Sequence, residues 1–503
     1  MTELKEEGVR PAMAAAVDGD LPSSVAPEDR GGVWDKPALG WVIFEFARNP
    51  YYLLVIIYIF APYLAGIVAA DAVARGEFAG LDASQIGEAA SAYGQAFVAG
   101  VTKWAGFAAA ITAPILGATL DRGGRRKPIM MVFLGLLAVM SFSLWWTMPG
   151  EAGLPYWAVG LALIVAAVSY TYSEVTHNAM LKDAARPELL PNVSGNGLAL
   201  GNLGGTIAML LIVFLIAMPG EFGWPLSAPI FGFDVSEQHQ FRIAGPLAAI
   251  WLVVFVGPFF LWSPDAGIKG ASWSKAAKEG LAGLFQTLKR ASHYKETMKF
   301  LIARMIYADG MAALLALGAV YVAGALNWNF QELVGYAIWL SIFGTFGGFL
   351  GGMMDRTLGV KNSLLIELIA LVIVLVGLIS ITEESIFFGL VESRQLVDWP
   401  VYSHLHDWAY LGVAGFLAVF ATACISSSRS MLVAMAPKKM IGEFFGLYAI
   451  AGTITVWLGP LLVETFTRMF NSQRIGMATI SVLFLFGIVV MLTVKYQKGQ
   501  QND

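Results

Sequence analysis

Charge and thiols are what this 503-residue chain has least of. Only 14% of its residues are Asp, Glu, Lys or Arg, whereas 57% are hydrophobic, and the mean hydropathy is +0.66. That balance excludes a soluble multidomain protein. A lone cysteine, Cys424, excludes a disulfide within the chain and any metal site built from cysteines. Two of the five histidines, His404 and His406, lack a third nearby ligand and read as surface residues, so no metal is expected. The glycine-rich run 195–205 has no Gly-Lys-Ser/Thr ending, no preceding strand and no Rossmann spacing. It therefore argues against nucleotide binding. Nothing in the chain supplies hydrolytic or transfer chemistry, so neither an enzyme nor a cofactor is expected, and ATP drive is disfavoured.

What is present is apolar sequence in long runs. A membrane-spanning helix needs about 20 apolar residues, and the chain offers twelve such stretches. They run over 41–69, 93–120, 127–148, 155–181, 193–218, 243–263, 298–324, 332–354, 362–381, 407–434, 443–467 and 474–495. Backbone groups in hydrocarbon must satisfy one another, so these are helices. With both termini on one side, the segments on that side carry 23 Lys and Arg against five in the opposite loops. By the positive-inside rule both termini are cytoplasmic, and the chain is a multi-pass protein of a plasma (bacterial inner) membrane.

Residues 1–40 are polar and acidic with no apolar core, and read as a disordered cytoplasmic tail, not a signal peptide. Two six-helix units follow, 41–263 and 298–495, with a short tail at 496–503. Their linker, 264–297, carries Leu281, Leu284, Phe285 and Leu288 at helical spacing beside Lys275, Lys278, Lys289 and Arg290. That pattern predicts an amphipathic helix on the inner leaflet.

A repeat ties the halves together. Gly117-Ala118-Thr119-Leu120-Asp121-Arg122-Gly123-Gly124-Arg125-Arg126-Lys127 separates two spans, and Gly351-Gly352-Met353-Met354-Asp355-Arg356-Thr357-Leu358-Gly359-Val360-Lys361 does so 234 residues later. The pattern resembles the loop signature of the major facilitator superfamily of transporters. The resemblance implies an all-α membrane protein of twelve transmembrane helices in two pseudo-symmetric six-helix lobes, the major facilitator fold. Further segments resemble the autophagy-related vacuolar amino-acid effluxers and their bacterial relatives. These are Tyr307-Ala308-Asp309-Gly310, Ser428-Arg429-Ser430, Glu443-Phe444-Phe445-Gly446-Leu447-Tyr448, Gly459-Pro460, Asn178-Ala179-Met180-Leu181 and Gly201-Asn202-Leu203-Gly204-Gly205. Export of a small solute such as an amino acid is what that branch implies. The chain departs from its pattern at Glu45-Phe46-Ala47-Arg48-Asn49, where Arg48 is an added cation, and at Asn202, where an aromatic is usual.

Ionisable groups inside spans are costly and mark function by default. Glu45, Arg48, Glu174, His177, Asp309 and Arg429 fall in spans 1, 4, 7 and 10, which line the central cavity in the superfamily. With Asn49, Tyr52, Tyr172, Asn178 and Tyr307 they form the predicted substrate site. The expected pairs are Arg48 with Asp309 and Glu174 with Arg429. Asp309, Glu174 and His177 are the predicted proton carriers. Lys103 and Arg304 are expected to snorkel, and Glu367 and Glu464 to be solvated or capped near span ends. A gate is expected from Asp121, Arg122, Arg125, Asp355, Arg356 and Glu443, because carboxylates at helix N-termini are favourable. Gly197, Gly201 and Gly205 in span 5 and Gly344, Gly348 and Gly352 in span 8 recur every fourth residue. Small faces of this kind let helices approach closely, and Gly201 and Gly348 are expected to meet across the gate.

The expected protein is a monomeric secondary active transporter, its partners being a small-molecule solute, protons and the bilayer, with no nucleic acid. It moves a small polar or charged solute by alternating access, as proton-coupled efflux. Import of an organic anion and a transport-inactive sensor or scaffold are the alternatives.

Overall fold

The computed structural model describes residues 31–120, 125–186, 189–217, 228–265, 288–436 and 454–496, with isolated positions within 278–286 and 444–452. In chain order the helices are α1 (Lys36–Ala74), α2 (Ala83–Leu120), α3 (Lys127–Ser143), α4 (Tyr156–Met180), α5 (Leu190–Ile212) and α6 (His239–Trp262). Then follow α7 (Lys295–Ala325), α8 (Phe330–Leu358), α9 (Val360–Ile379), α10 (Leu405–Met435), α11 (Leu458–Phe470) and α12 (Gln473–Thr493). Among the described residues ten helices are long and apolar enough to cross a membrane. The predicted tail ends sooner than expected, since Lys36 already starts α1 with Pro37 in its first turn. Pro is pre-organised for that position. Of the predicted linker helix, Leu281, Leu284, Phe285 and Lys275 lie outside the described residues, while Leu288, Lys289 and Arg290 are helical and exposed.

Proline breaks the first helix. Pro50 has no N–H to give the carbonyl of Phe46, and the Trp251 indole donates to that oxygen instead, at 3.0 Å. Beyond Pro50 the backbone winds as a π-helix over Tyr51–Tyr58 before α-geometry resumes at Phe60. α6 thus repairs the backbone that proline opens, and the break falls at mid-height.

Within the first half α1 packs on α5 and α6, and α4 on α2 and α3; within the second, α10 packs on α8 and α9, and α12 on α7 and α9. The glycine faces explain two of these pairings. A Cβ built on Gly201 would stand 3.3 Å from Glu45 Cβ, and one on Gly197 would strike Trp41 at 2.6 Å. The small face of α5 therefore lies on α1. Gly344, Gly347 and Gly351 of α8 press on Thr422, Val419 and Ala423 of α10. Gly201 and Gly348 do not meet: each serves its own half, and Gly348 has only Thr422 nearby, at 4.0 Å.

The halves meet at the end remote from the chain termini. α2 packs on α11 there, and α7 on α1 and α2. Lys103 Nζ reaches Glu464 Oε2 at 2.6 Å, and Arg468 Nε holds Glu464 Oε1 at 3.2 Å. Lys103 pairs with Glu464 instead of snorkelling, and Glu464 is not solvated at a span end; their side chains are 18% and 14% exposed. Gln95 donates to Thr467 Oγ1 and to the Gln473 carbonyl, Gln473 to the Ser91 carbonyl, and Ser472 to Glu88. Gly100 and Gly106 make the approach possible, their positions facing Glu464 and Val456–Trp457 at 3.0 Å. Tyr58 meets Tyr336 and Phe241 meets Phe330 across the same seam. At the termini end neither α5 with α8 nor α4 with α10 is among the helix pairs that pack extensively in the described residues. The protein is closed on the far side.

Beyond α9 the loop folds into an antiparallel hairpin of β1 (Ser385–Ile386) and β2 (Val391–Glu392). His406 is buried rather than superficial, bonded to Ser393 Oγ and facing Asp407. It secures this loop to the start of α10.

Candidate functional site

Charge gathers where α1 meets α4. Arg48, 4% exposed, sends Nη2 to both oxygens of Glu45 at 2.8 and 3.1 Å, and Nη1 to Glu174 Oε2 at 3.5 Å. Its guanidinium lies 4.2 Å from the Tyr170 ring centre and 5.7 Å from that of Phe44. Arginine suits such a place because its planar fork binds carboxylates and stacks on rings at once. The two acids differ in access. The Glu45 side chain is 16% exposed, that of Glu174 47%. Glu45 is the fixed partner and Glu174 the loose one. Tyr51 and Tyr52 extend the wall over Tyr170, at 5.5 and 5.9 Å between ring centres. Two buried donors face no partner here, Arg48 Nε and the Tyr51 hydroxyl.

His177 lies beneath this cluster, fully buried. Its ring stacks on Trp41 at 4.1 Å and on Phe44 at 4.2 Å. Nε2 is 2.9 Å from the Trp41 carbonyl, Nδ1 is 3.1 Å from Glu45 Oε1, and the Trp41 indole donates to the His177 carbonyl at 3.0 Å.

Arg48 and Asp309 do not pair, and neither do Glu174 and Arg429. Equal depth in two halves is no guarantee of facing each other, and Arg48 already has two acids within its own half. Asp309, 2% exposed on α7, accepts the Gly459 N–H at 2.9 Å through Oδ2. It caps the first turn of α11, just before Pro460. A carboxylate there answers both the orphan donor and the helix dipole. Arg429 is exposed on α10 and makes no ion pair among the described residues. Tyr307 is buried and bonds Ser428 Oγ at 2.8 Å. Tyr172 packs on Phe133 of α3 and Asn178 is exposed, and the described residues record no contact of either with the Arg48 cluster. Asn49 donates to Asn202 at 3.4 Å where α1 packs on α5. Arg304 does not snorkel; it covers the Tyr448 ring at 3.4 Å.

Glu367 contradicts its expected place at a solvated end. It is fully buried in α9, with Oε1 accepting from Ser427 at 2.9 Å and Oε2 unpartnered. Its position well inside an apolar run was the signal that could have found it.

Of the expected gate, Asp121, Arg122 and Glu443 lie outside the described residues. Arg125 is exposed, Arg356 donates to the Gly352 carbonyl within its own helix, and Asp355 Oδ1 is buried without a partner. Arg126 is buried 3.8 Å from Asp183, and Asp265 caps α3 through the Arg126 N–H at 2.7 Å. In this closed-far-side arrangement Arg126 and Arg356 bind elements of their own half.

The match to known proteins follows the same architecture. The family model described as vacuole effluxer Atg22 like matches residues 183–503. An uncharacterized MFS-type transporter of Bacillus subtilis, YxiO, is 22% identical over 93% of this chain and 98% of its own. Autophagy-related protein 22-1 of Aspergillus niger is 23% identical over 66% of this chain, which spans 52% of that protein's length. Among solved structures, a D-xylose–proton symporter aligns over 92% of this chain and 98% of its own at 11% identity, with TM-score 0.59. An inward-facing bacterial Spinster homologue aligns over 97% of this chain and 98% of its own at 14% identity, with TM-score 0.53. Transporters are what these relatives are, and the chain belongs to the Atg22-like family within the major facilitator fold.

Proposed function

We propose that this protein is a proton-coupled secondary transporter that exports a small, amino-acid-like solute by alternating access. The observation that carries this reading is Arg48, a buried cation sandwiched between one fixed acid and one loose acid against a tyrosine wall, beside the break in α1. Unwound or broken helices at mid-height are where transporters of inverted or repeated design bind their cargo. A solute carboxylate that reaches Arg48 competes with Glu174, whose 3.5 Å contact is the longer and more exposed of the two. Removing Glu174 from Arg48 strands neither group, because Glu174 is half in solvent.

The Lys and Arg excess on the termini side supports cytoplasmic termini in a plasma (bacterial inner) membrane, so the far-side closure corresponds to an inward-open state. Alternating access then requires the Lys103–Glu464 seam to part as the α5 and α8 ends converge. The two six-helix halves, 41–263 and 298–495, are the moving bodies.

The test is solute counterflow into proteoliposomes, which needs no gradient, with a panel of amino acids, organic acids and amines. Exchange of at least one solute, abolished in Arg48→Gln, supports the reading; exchange of none in a correctly inserted protein removes transport altogether.

A further inference from the structure

We infer that Glu367 is a proton site apart from the Arg48 cluster: its carboxyl carries a proton in this state, releases it toward the termini side, and thereby loosens α9 from α10. The buried stripe of α9 runs through Leu364, Leu368, Leu371 and Leu375, and Glu367 stands within it, wholly enclosed. One hydrogen bond serves the group. Ser427 of α10 donates to Oε1 at 2.9 Å, while Oε2 is buried without a partner. An ionised carboxylate offers about four acceptor sites, so a single donor leaves most of them unanswered. A charge so placed in an apolar interior is neutralised rather than kept. A proton on Oε2 does this and leaves Oε1 free to accept from Ser427.

No cation among the described residues takes the place of that proton. Lys361 is the one other charged residue of α9, and its Nζ bonds the Leu492 and Val494 carbonyls. From α8 the charged group acting on Glu367 is Asp355, a like charge with a buried, unpartnered oxygen of its own. Its repulsion adds to the cost of a charge on Glu367. From α10 the titratable neighbour is the buried thiol of Cys424. α12 has no titratable side chain along Ile480–Thr493, and Arg474 before it bonds the Ile379 carbonyl at the opposite end of α9.

Glu367 lies two turns, or about 10 Å, inside the start of α9, and Asp355 is partly exposed at that same end. Release leaves the carboxylate behind and passes the proton to water there. Ser427 and Ser428 are neighbours on α10. The first holds Glu367, and the second bonds the Tyr307 hydroxyl of α7 at 2.8 Å. A charge appearing on Glu367 draws in water and parts α9 from α10 directly behind the contact of α10 with α7. The α9–α10 contact is therefore whole while the proton is bound and weakens as the pH rises.

Infrared difference spectra of the purified protein in detergent, in light and heavy water, read this proton directly. Wild type at pH 7 should show the carbonyl band of a protonated carboxylic acid that disappears on raising the pH. That band should be missing in Glu367→Gln, the isostere of the neutral form. In Ser427→Ala, which removes the hydrogen bond to Oε1, it should move to higher frequency. Thermal melts should show wild type losing more stability toward alkaline pH than Glu367→Gln does. A band unaffected by either substitution, or an equal pH dependence of the two melts, overturns the inference. A melting temperature raised by added sodium in wild type but not in Glu367→Gln would assign the site to a metal cation and overturn it as well. If Glu367→Gln fails to fold, the band shift in Ser427→Ala decides. None of these readings involves flux, so their failure leaves the transport reading standing.

Discussion

Lys127 and Lys361 make the same bond in the two halves of the protein. Lys127 Nζ donates to the Phe260 carbonyl at 2.7 Å, tying the start of α3 to the end of α6, and Lys361 Nζ donates to the Val494 carbonyl at 2.6 Å, tying α9 to α12. They are 234 residues apart, the interval of the repeated loop signature. Each fastens a helix start to orphan carbonyls at a helix C-terminus, so the loop signature is structural as well as topological. Lys127→Met and Lys361→Met should each lower stability by about 1.5–3 kcal/mol, the net worth of a hydrogen bond made by a charged group. The losses should add, since the sites share no partner. Thermal melts of the purified single and double variants check this; a loss at one position only would break the equivalence.

The far-side seam should depend on Lys103. Lys103→Met leaves Glu464 with Arg468 alone and weakens the contact between α2 and α11. In a Cys424→Ser background, a cysteine placed at buried Ala99 should react faster with a membrane-impermeant thiol reagent once Lys103 is lost. The exchange Lys103→Glu with Glu464→Lys should restore protection. Labelling that is the same in all three forms would mean the ion pair does not hold the seam.

Glycine replacements should separate packing from gating. Gly201→Leu forces a side chain against Glu45 and Asn49, and overpacking of this kind costs about 1–3 kcal/mol. Gly348→Leu faces only Thr422, at 4.0 Å, and should leave folding unchanged. Size-exclusion profiles after mild heating should show Gly201→Leu aggregating first. Equal profiles would contradict the assignment of the α5 glycines to packing on α1.

Asp309 should act as a helix cap. Asp309→Asn keeps an acceptor for the Gly459 N–H, whereas Asp309→Ala removes it, at about 1 kcal/mol. Stability should therefore fall more in Asp309→Ala than in Asp309→Asn, and neither should couple to Arg48→Gln in a double-mutant cycle. A coupling well above about 0.5 kcal/mol would restore a direct Arg48–Asp309 pair.

Much of this architecture was legible in the sequence. The repeated Asp-Arg loop pointed to the major facilitator fold, and Glu45, Arg48, Glu174 and His177 stood out because charge inside an apolar run is costly. The partners were harder. Aligning the halves places Arg48 and Asp309 at one depth, but depth says nothing of which way a helix face turns. The glycine faces of α5 and α8 signalled close approach without naming the neighbour. Lys103 and Glu464 looked like isolated charges because their pairing spans 361 residues and exists only once α2 crosses α11. Asp265 as the cap of α3 was equally hidden, its role set by where α6 ends.

Proton coupling through Arg48 is read in one flux measurement: accumulation of a transported solute in proteoliposomes driven by an imposed pH gradient, in wild type and in Arg48→Gln. Gradient-dependent accumulation in wild type and none in Arg48→Gln is the predicted result. Accumulation that ignores the gradient, or survives unchanged without Arg48, would contradict it.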